Sequence, residues 1–577
     1  MMLIAAMTSS RGLMEMLIPP LVSVNYFANE TNEWADIFFK HIKPELVPFD
    51  TTKGESQPIA RSFYENIDPN PSIPWRKWIP PLLIWGIPIV LIFFGFMCLA
   101  SIISRQWVDN EKLAFPLVQL PLEIVRDAEA HRFFSNKLMW IGFAIPAIIF
   151  SLNGLHNIFP VVPRVNLKTN LNQYFTEKPF NAIYHTSLNI SFAAIGFFYL
   201  LTVQLLFSLW FFFIVIRVQD ILACAMGKPI TNIPLFPART YIGYQVAGAF
   251  FVLVVYWIYV SMPYLKKALK SAFTRSDFLA LGDPRIDVDD SRELLPYRVA
   301  VWGVIISFAL TVLWCWWAGL TLWFAVFELT IYMFFVAIVM ARSVAEAGML
   351  VTETPFRPVD LYVMFRSKAS LGKSSITFLS FFDAIFAKDQ GGHILTGFMD
   401  SLKFSDSVKL KRRSLLLVFG IGIFVILIAA ASIQLSLPYR YGGNYMYGYT
   451  HRGNPVAVFT YYASTASGTA NLRYLIPFLV GMVVTAFLAI MRAMYWWWPL
   501  HPLGYALPAS WTMTAFWLPI MIAWLLKSLV MKYGGVRQYL KLKPFFLGMI
   551  LGEFSMAALW VAVSWATKLP TPYFPWN

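Results

Sequence analysis

The chain has 577 residues, of which 58% are hydrophobic and only 13% charged, with 51 Phe, 26 Tyr and 22 Trp. A mean hydropathy of +0.59 excludes an ordinary soluble globule, and apolar runs of about 20 residues without period-two alternation exclude a membrane β-barrel. The formal charge of +15 does not signify nucleic acid, because Lys and Arg are spread through short loops between apolar runs, where they orient the chain and meet lipid headgroups.

In chain order, Met1-Met2-Leu3-Ile4-Ala5-Ala6-Met7 is apolar from its first residue and lacks a basic leader, so it is expected to be the tail of a helix begun upstream. Leu13 to Val24, broken by Pro19-Pro20, is too short to span and is expected to be re-entrant. Asn25 to Lys77 is polar and reads as an extracytoplasmic loop on the membrane surface. Apolar runs follow at Ile79 to Ile103, Leu138 to His156, Asn189 to Ile216, Ile242 to Met262, Val299 to Ala318 and Leu320 to Ala341. Four more lie at Ser414 to Leu437, Tyr474 to Met491, Ala509 to Leu526 and Phe545 to Ala566. The expected fold is therefore an all-α polytopic transmembrane bundle of about ten to twelve spans, with re-entrant or broken helices and a two-fold internal repeat. Its parts are an N-terminal partial helix and loop (1–78), a first transmembrane half (79–298), a central helix pair with a cytoplasmic linker (299–413) and a second transmembrane half (414–577).

The loops Ser104 to Lys137, Lys266 to Arg298, Lys388 to Arg413 and Lys527 to Lys543 carry the densest Lys and Arg, which places all four in the cytoplasm and the chain in the cytoplasmic (inner) membrane. Three runs separate the first two of these loops, and three separate the last two. An odd number cannot return a chain to the same side, so each triplet needs a further crossing or a segment that does not cross. Each triplet also holds a Pro-Leu-x-Pro break, at Pro234-Leu235-Phe236-Pro237 and at Pro499-Leu500-His501-Pro502. Proline removes a backbone donor, so the helix arriving from Tyr474 must stop before Pro499. Interrupted segments at matching places are the sequence-level pointer to a transporter's binding site, although Pro-rich loops at the membrane surface share the composition.

The loop that runs from Ser104 to Glu111-Lys112-Leu113-Ala114-Phe115-Pro116 resembles a Glu-Lys-Leu-x-Phe-Pro signature of the oligopeptide transporter superfamily. Gly548-Met549-Ile550-Leu551-Gly552-Glu553 is similar to the Gly-rich, Gly-Glu segment near the end of those transporters. Over nearly its whole length the chain also looks like an uncharacterised bacterial membrane-protein family related to that superfamily. The matching features are Ala341-Arg342-Ser343-Val344-Ala345-Glu346-Ala347-Gly348, Pro499 to Tyr505, and Lys532 through Phe546. The distant resemblance implies transport by about sixteen helices in two related halves, more than the ten runs seen here.

Ionisable groups inside apolar runs cost roughly 2.5–3.5 kcal/mol each on insertion scales, so they are the first candidates for function. Glu328 and Glu553 each lie eight positions into a run and are candidate proton-coupling carboxylates, with a packing role the equal alternative. Gly548 and Gly552 would let another backbone approach Glu553. Arg342 and Glu346 share a helix face, His501 sits between two prolines, and Asn153 and His156 open a polar loop that would suit a substrate vestibule. Helix-end pairs and surface histidines account for the same residues more simply. Cys98, Cys224 and Cys315 are far apart in apolar surroundings, and no nucleotide loop, nucleophile elbow or metalloprotease motif occurs, so neither an enzyme nor a metal or cofactor protein is expected. The expected function is a secondary transporter of peptides or similar small polar solutes driven by an ion gradient, with membrane lipids as partners, no nucleic acid, and a homo-oligomer allowed. The alternative is a non-transporting membrane scaffold or a subunit of a larger complex.

Overall fold

Backbone surrounded by lipid must satisfy its own hydrogen bonds, so apolar runs of this length fold as helices and irregular chain is confined to the protein interior. The computed structural model describes residues 12–66, 72–130, 133–228, 231–233, 236, 238–273, 290, 292–349, 353–386, 393–464 and 471–575. The expectations for Met1 to Met7 and for Pro234, Leu235 and Pro237 fall outside them. The labelled helices are α1 Leu13–Tyr26, α2 Trp75–Arg105, α3 Pro116–Ala130, α4 Lys137–Ile158, α5 Phe192–Tyr199, α6 Val203–Ala225, α7 Thr240–Phe273, α8 Tyr297–Trp317 and α9 Leu322–Ala347. They continue with α10 Pro358–Val363, α11 Lys373–Ile385, α12 Ile394–Ser407, α13 Leu415–Tyr441, α14 Asn454–Ala463, α15 Leu475–Met494, α16 Pro502–Ala506 and α17 Trp511–Thr567. One small hairpin pairs β1 Lys168–Asn170 with β2 Ser187–Asn189, antiparallel.

Among the described residues nine helices are long and apolar enough to cross a bilayer. The last of them, with 57 residues, would stretch about 85 Å if straight, far beyond a hydrocarbon core of about 30 Å. It folds back at Gly535, whose φ of 62° and ψ of −167° leave the helical region and suit a residue without a side chain. The ammonium of Lys527 lies 4.3 Å from the Tyr539 ring centre, where a straight helix would hold the two residues about 18 Å apart. The protein is thus an all-α, multi-pass membrane protein whose rods match nine of the ten apolar runs one to one.

The buried side chains form two large cores and a small third cluster around Met139, Phe197 and Ile550. One large core gathers α1, α2, α8, α11, α12, α13 and α14; the other gathers α5, α6, α7, α15, α16 and both arms of α17. The first transmembrane half, 79–298, therefore contributes to both cores. Helix α9 is the seam between them, with Phe324, Leu329, Met333 and Ala337 in one and Ile331, Val336, Met340 and Val344 in the other. Rods approach closely where glycine allows it: a Cβ on Gly481 of α15 would lie 1.9 Å from the Gln245 carbonyl of α7, and one on Gly142 of α4 would lie 2.0 Å from that of Phe545.

The parity problem is resolved by irregular crossings in the interior. Asn189 to Ile216 is not one span, because α5 ends at Tyr199 and α6 begins at Val203. Asp220, near the end of α6, accepts from the Tyr184 backbone and the Tyr241 hydroxyl, so the chain descends through β2 and α5 and climbs back along α6. In the second triplet α15 stops at Met494. From there the chain climbs past His501, whose N–H meets Ser208, to Trp511, which stacks on His185.

A third irregular passage revises the expected cytoplasmic loop Lys388 to Arg413. Ile394–Ser407 is a helix whose first seven residues are all buried. Its partner α11 begins where the Ser374 hydroxyl donates to the Gly319 carbonyl, at the turn between α8 and α9, and α12 ends where Asp406 binds Arg412 on the basic face. The two half-length helices thus share one passage. Each is shorter than the roughly 20 residues a spanning helix needs, which is why an apolar-run search passes over them. The segment 299–413 accordingly holds the expected helix pair, α8 and α9, and largely buried helices α10 to α12 where a cytoplasmic linker was expected.

Candidate functional site

Helix α5 has eight residues, too few to be stable alone, and it is held by a charge at each end. Glu553, on the second arm of α17, accepts from the Ser191 hydroxyl at 2.8 Å and from the backbone N–H groups of Phe192 at 2.7 Å and Ala193 at 3.0 Å. Lys527, on the first arm, donates to the carbonyls of Tyr199 at 3.0 Å and Leu201 at 2.5 Å. An anion at the N-terminus and a cation at the C-terminus both oppose the helix dipole. Glu553, expected as a coupling carboxylate, is thereby occupied as a helix cap. Glu553→Gln is expected to destabilise α5 by about 1.5–3 kcal/mol, the worth of hydrogen bonds to a charged group. Hydrogen exchange at the Phe192 and Ala193 amides checks this, and unchanged protection would show that the cap is idle.

Three other expected residues do converge. Arg342 donates through Nε to Glu346 at 2.8 Å and through Nη2 to Glu111 at 2.6 Å, and His501 Nε2 lies 2.9 Å from Glu346. His501 Nδ1 accepts from the Leu503 N–H, which fixes the proton of the neutral ring on Nε2, facing Glu346. The Arg342 guanidinium also packs against the rings of Trp107 and Trp257, at 5.5 and 4.8 Å from their centres. Glu111 belongs to the Glu-Lys-Leu turn, and the N–H of Phe115 four residues on donates to the Ala345 carbonyl at 2.8 Å. One partly buried chain of charges therefore joins that turn, the end of α9 and the interrupted passage between α15 and α17.

Asn153 and His156 lie elsewhere. Asn153 exchanges hydrogen bonds with the backbone of Val165 at 3.1 and 2.8 Å, and His156 Nδ1 lies 2.6 Å from the Val162 carbonyl. They tie down the loop after α4. Asn153 also lines a 230 Å³ cavity with Arg164, Lys168 and Tyr573.

Glu328 belongs to a second cluster, which is deeply buried and largely unexpected from the sequence. Its side chain is 1% exposed and no N–H or O–H donor reaches either oxygen. What it meets is the carboxyl of Asp383, in the last turn of α11. Asp383 Oδ2 accepts from the Tyr462 hydroxyl of α14, while Oδ1 has no donor. Arg357 lies within electrostatic reach of both acids. Its own hydrogen bonds go to Asp360, from Nε at 3.1 Å and Nη2 at 3.0 Å. The Tyr461 hydroxyl also donates to Asp360, at 2.7 Å. The Tyr461 ring meets Arg357 and Lys368, 3.7 and 2.9 Å from its centre.

Of this cluster only Glu328 lies within an apolar run, where a lone acid is conspicuous. The overlooked signal was the spacing of Arg357 and Asp360 around Pro358, which writes a helix start with its own ion pair. Among the described residues no group of three or more His, Cys, Asp or Glu side chains is arranged to hold a metal ion.

No curated protein matches the chain. Residues 1–575 match the family described as a family of unknown function, DUF6785, and the chain belongs to that family.

Proposed function

We propose that this protein is a secondary transporter that moves peptides or similar small polar solutes across the cytoplasmic membrane under an ion gradient. The supporting observation is the charge chain Glu111–Arg342–Glu346–His501, which fastens a Pro-interrupted passage to the seam helix between two cores. Ion pairs with a buried guanidinium and a buried imidazole are expensive to assemble in a membrane, and a scaffold gains nothing from putting them at a broken crossing. A carrier does, because pairs made in one state and broken in another determine which face is open. The Glu-Lys-Leu turn that resembles the oligopeptide transporter signature supplies Glu111 to this chain, which favours the same reading. Basic loops at one face orient that face to the cytoplasm.

Uptake into proteoliposomes, with a panel of radiolabelled di- and tripeptides and peptide-like metal chelates under an imposed pH gradient, tests the proposal. Wild type is expected to exceed protein-free vesicles. Glu346→Gln is expected to fall roughly tenfold or more, the kinetic equivalent of about 1.5–3 kcal/mol in lost charged hydrogen bonds. Background flux across the whole panel overturns the carrier reading and leaves the non-transporting scaffold or complex subunit.

A further inference from the structure

We propose that Glu328 and Asp383 share a single exchangeable proton and form the proton-binding site of this protein. The pair lies where the seam helix meets the interrupted passage of α11 and α12. Glu328 is three residues before a wide π turn, Ile331–Val336, and Asp383 is two residues before α11 ends. Helices depart from regular geometry at functional sites more often than elsewhere.

Counter-charges decide what the pair holds. Arg357 is the nearest cation, but its Nε and Nη2 are taken by Asp360 and its Nη1 makes no hydrogen bond to either acid of the pair, so it does not fully neutralise two further acids. Lys368 reaches the cluster through the face of Tyr461. The remaining groups facing the pair are the Tyr462 hydroxyl and, from α8, the Cys315 thiol. Two ionised carboxylates in contact repel strongly away from water, and neither oxygen of Glu328 has a donor to offset that repulsion. One proton between them supplies the missing donor and removes one charge. No third His, Cys, Asp or Glu joins this pair in a metal-binding group among the described residues. Tyr461, which touches Arg357, Asp360 and Lys368, lines a groove of about 790 Å³ along α14, so an open cleft borders the edge of the cluster. In each cycle one proton enters from water on one side and leaves to water on the other, and the pair alternates between one and two negative charges.

The shared proton is independent of the carrier proposal; its role as coupling ion rests on it. Infrared spectroscopy of the full-length protein in lipid, titrated from acid to alkaline pH, separates the two. A protonated-carboxyl band is expected at neutral pH, and carbon-13 labelling of glutamate and aspartate carboxyls is expected to shift it. The band is expected to be lost in the isosteric double variant Glu328→Gln/Asp383→Asn and kept in Asp400→Asn, which removes another buried acid. Absence of any such band from wild type, or a band lost only in Asp400→Asn, overturns the proposal; the wild-type measurement decides even if the double variant fails to fold. Where a panel solute moves, the double variant is expected to keep exchange at equal pH and lose pH-driven accumulation. Unimpaired accumulation removes the coupling role, and absence of flux for every solute removes the carrier reading with the infrared result still standing.

Discussion

Arg357→Ala is expected to destabilise the folded protein by about 3–5 kcal/mol, the cost of breaking a buried pair and leaving its partner without its ion-pair contact. Arg357 is 1% exposed and supplies the bidentate contact to Asp360 while facing Asp383 and Glu328. Its removal therefore leaves three acids beside one another with only Lys368 against the Tyr461 ring. The loss is not electrostatic alone, because the guanidinium also packs 3.7 Å from the centre of that ring, a contact worth about 2 kcal/mol when desolvated. Thermal unfolding in detergent, read as a shift in midpoint, measures the effect. The double variant Arg357→Ala/Asp360→Asn is expected to recover a large part of it, since the orphaned carboxylate is gone. A shift indistinguishable from wild type would mean that water reaches Asp360 and that the cluster is not dry.

The second large effect is expected at Arg342→Ala, again about 3 kcal/mol or more, because one guanidinium serves two carboxylates at once. Glu111 and Glu346 would then be left beside each other with His501 on Glu346, the Gln106 amide on Glu111 and Arg492 nearby, none of which bridges the two carboxylates as Arg342 does. Their repulsion acts on the turn that carries Phe115, whose N–H is bonded to Ala345. Faster hydrogen exchange at Phe115 should accompany the drop in stability. Arg342→Lys is not expected to rescue either measure: an ammonium cannot span two carboxylates in fixed directions or lie flat on Trp107 and Trp257. Full rescue by lysine would show that net charge, and not the geometry of the fork, holds the site.

The spanning rods were legible because lipid imposes a length that composition records. Nine of the ten apolar runs each have one rod in the structure, the run Asn189 to Ile216 being divided between α5 and α6, and even the irregular passages announced themselves, since two triplets of spans could not return basic loops to one side. Legibility ended where segments became shorter than the bilayer. Asp383 sits in a 13-residue helix made half of Ser, Thr and Phe, which no window of spanning length can detect, and the 14 residues of α12 carry Lys and Asp that mimic a cytoplasmic loop. Arg342, Glu346 and His501 were picked out separately by local pattern. That they meet at one point follows from α15 ending at Met494 and the chain passing Ser208, a fact of packing with no trace in local sequence. Glu553 shows the reverse: an acid in an apolar run attracts a functional reading, while its partner, the start of an eight-residue helix more than 350 positions away, is invisible until the chain is folded.

The wide turn at Ile331–Val336 has a mechanical meaning for the seam helix. It lies between Glu328 near one end and Glu346 near the other, 18 residues and so about 27 Å apart along the axis, nearly the thickness of the hydrocarbon layer. A bulge of this kind holds one surplus residue, and if it migrates along the rod the phase of every side chain it passes turns by about 100°. The helix is thereby built like a crankshaft, able to rotate the acid at one end against the ion pairs at the other without breaking its own backbone ladder.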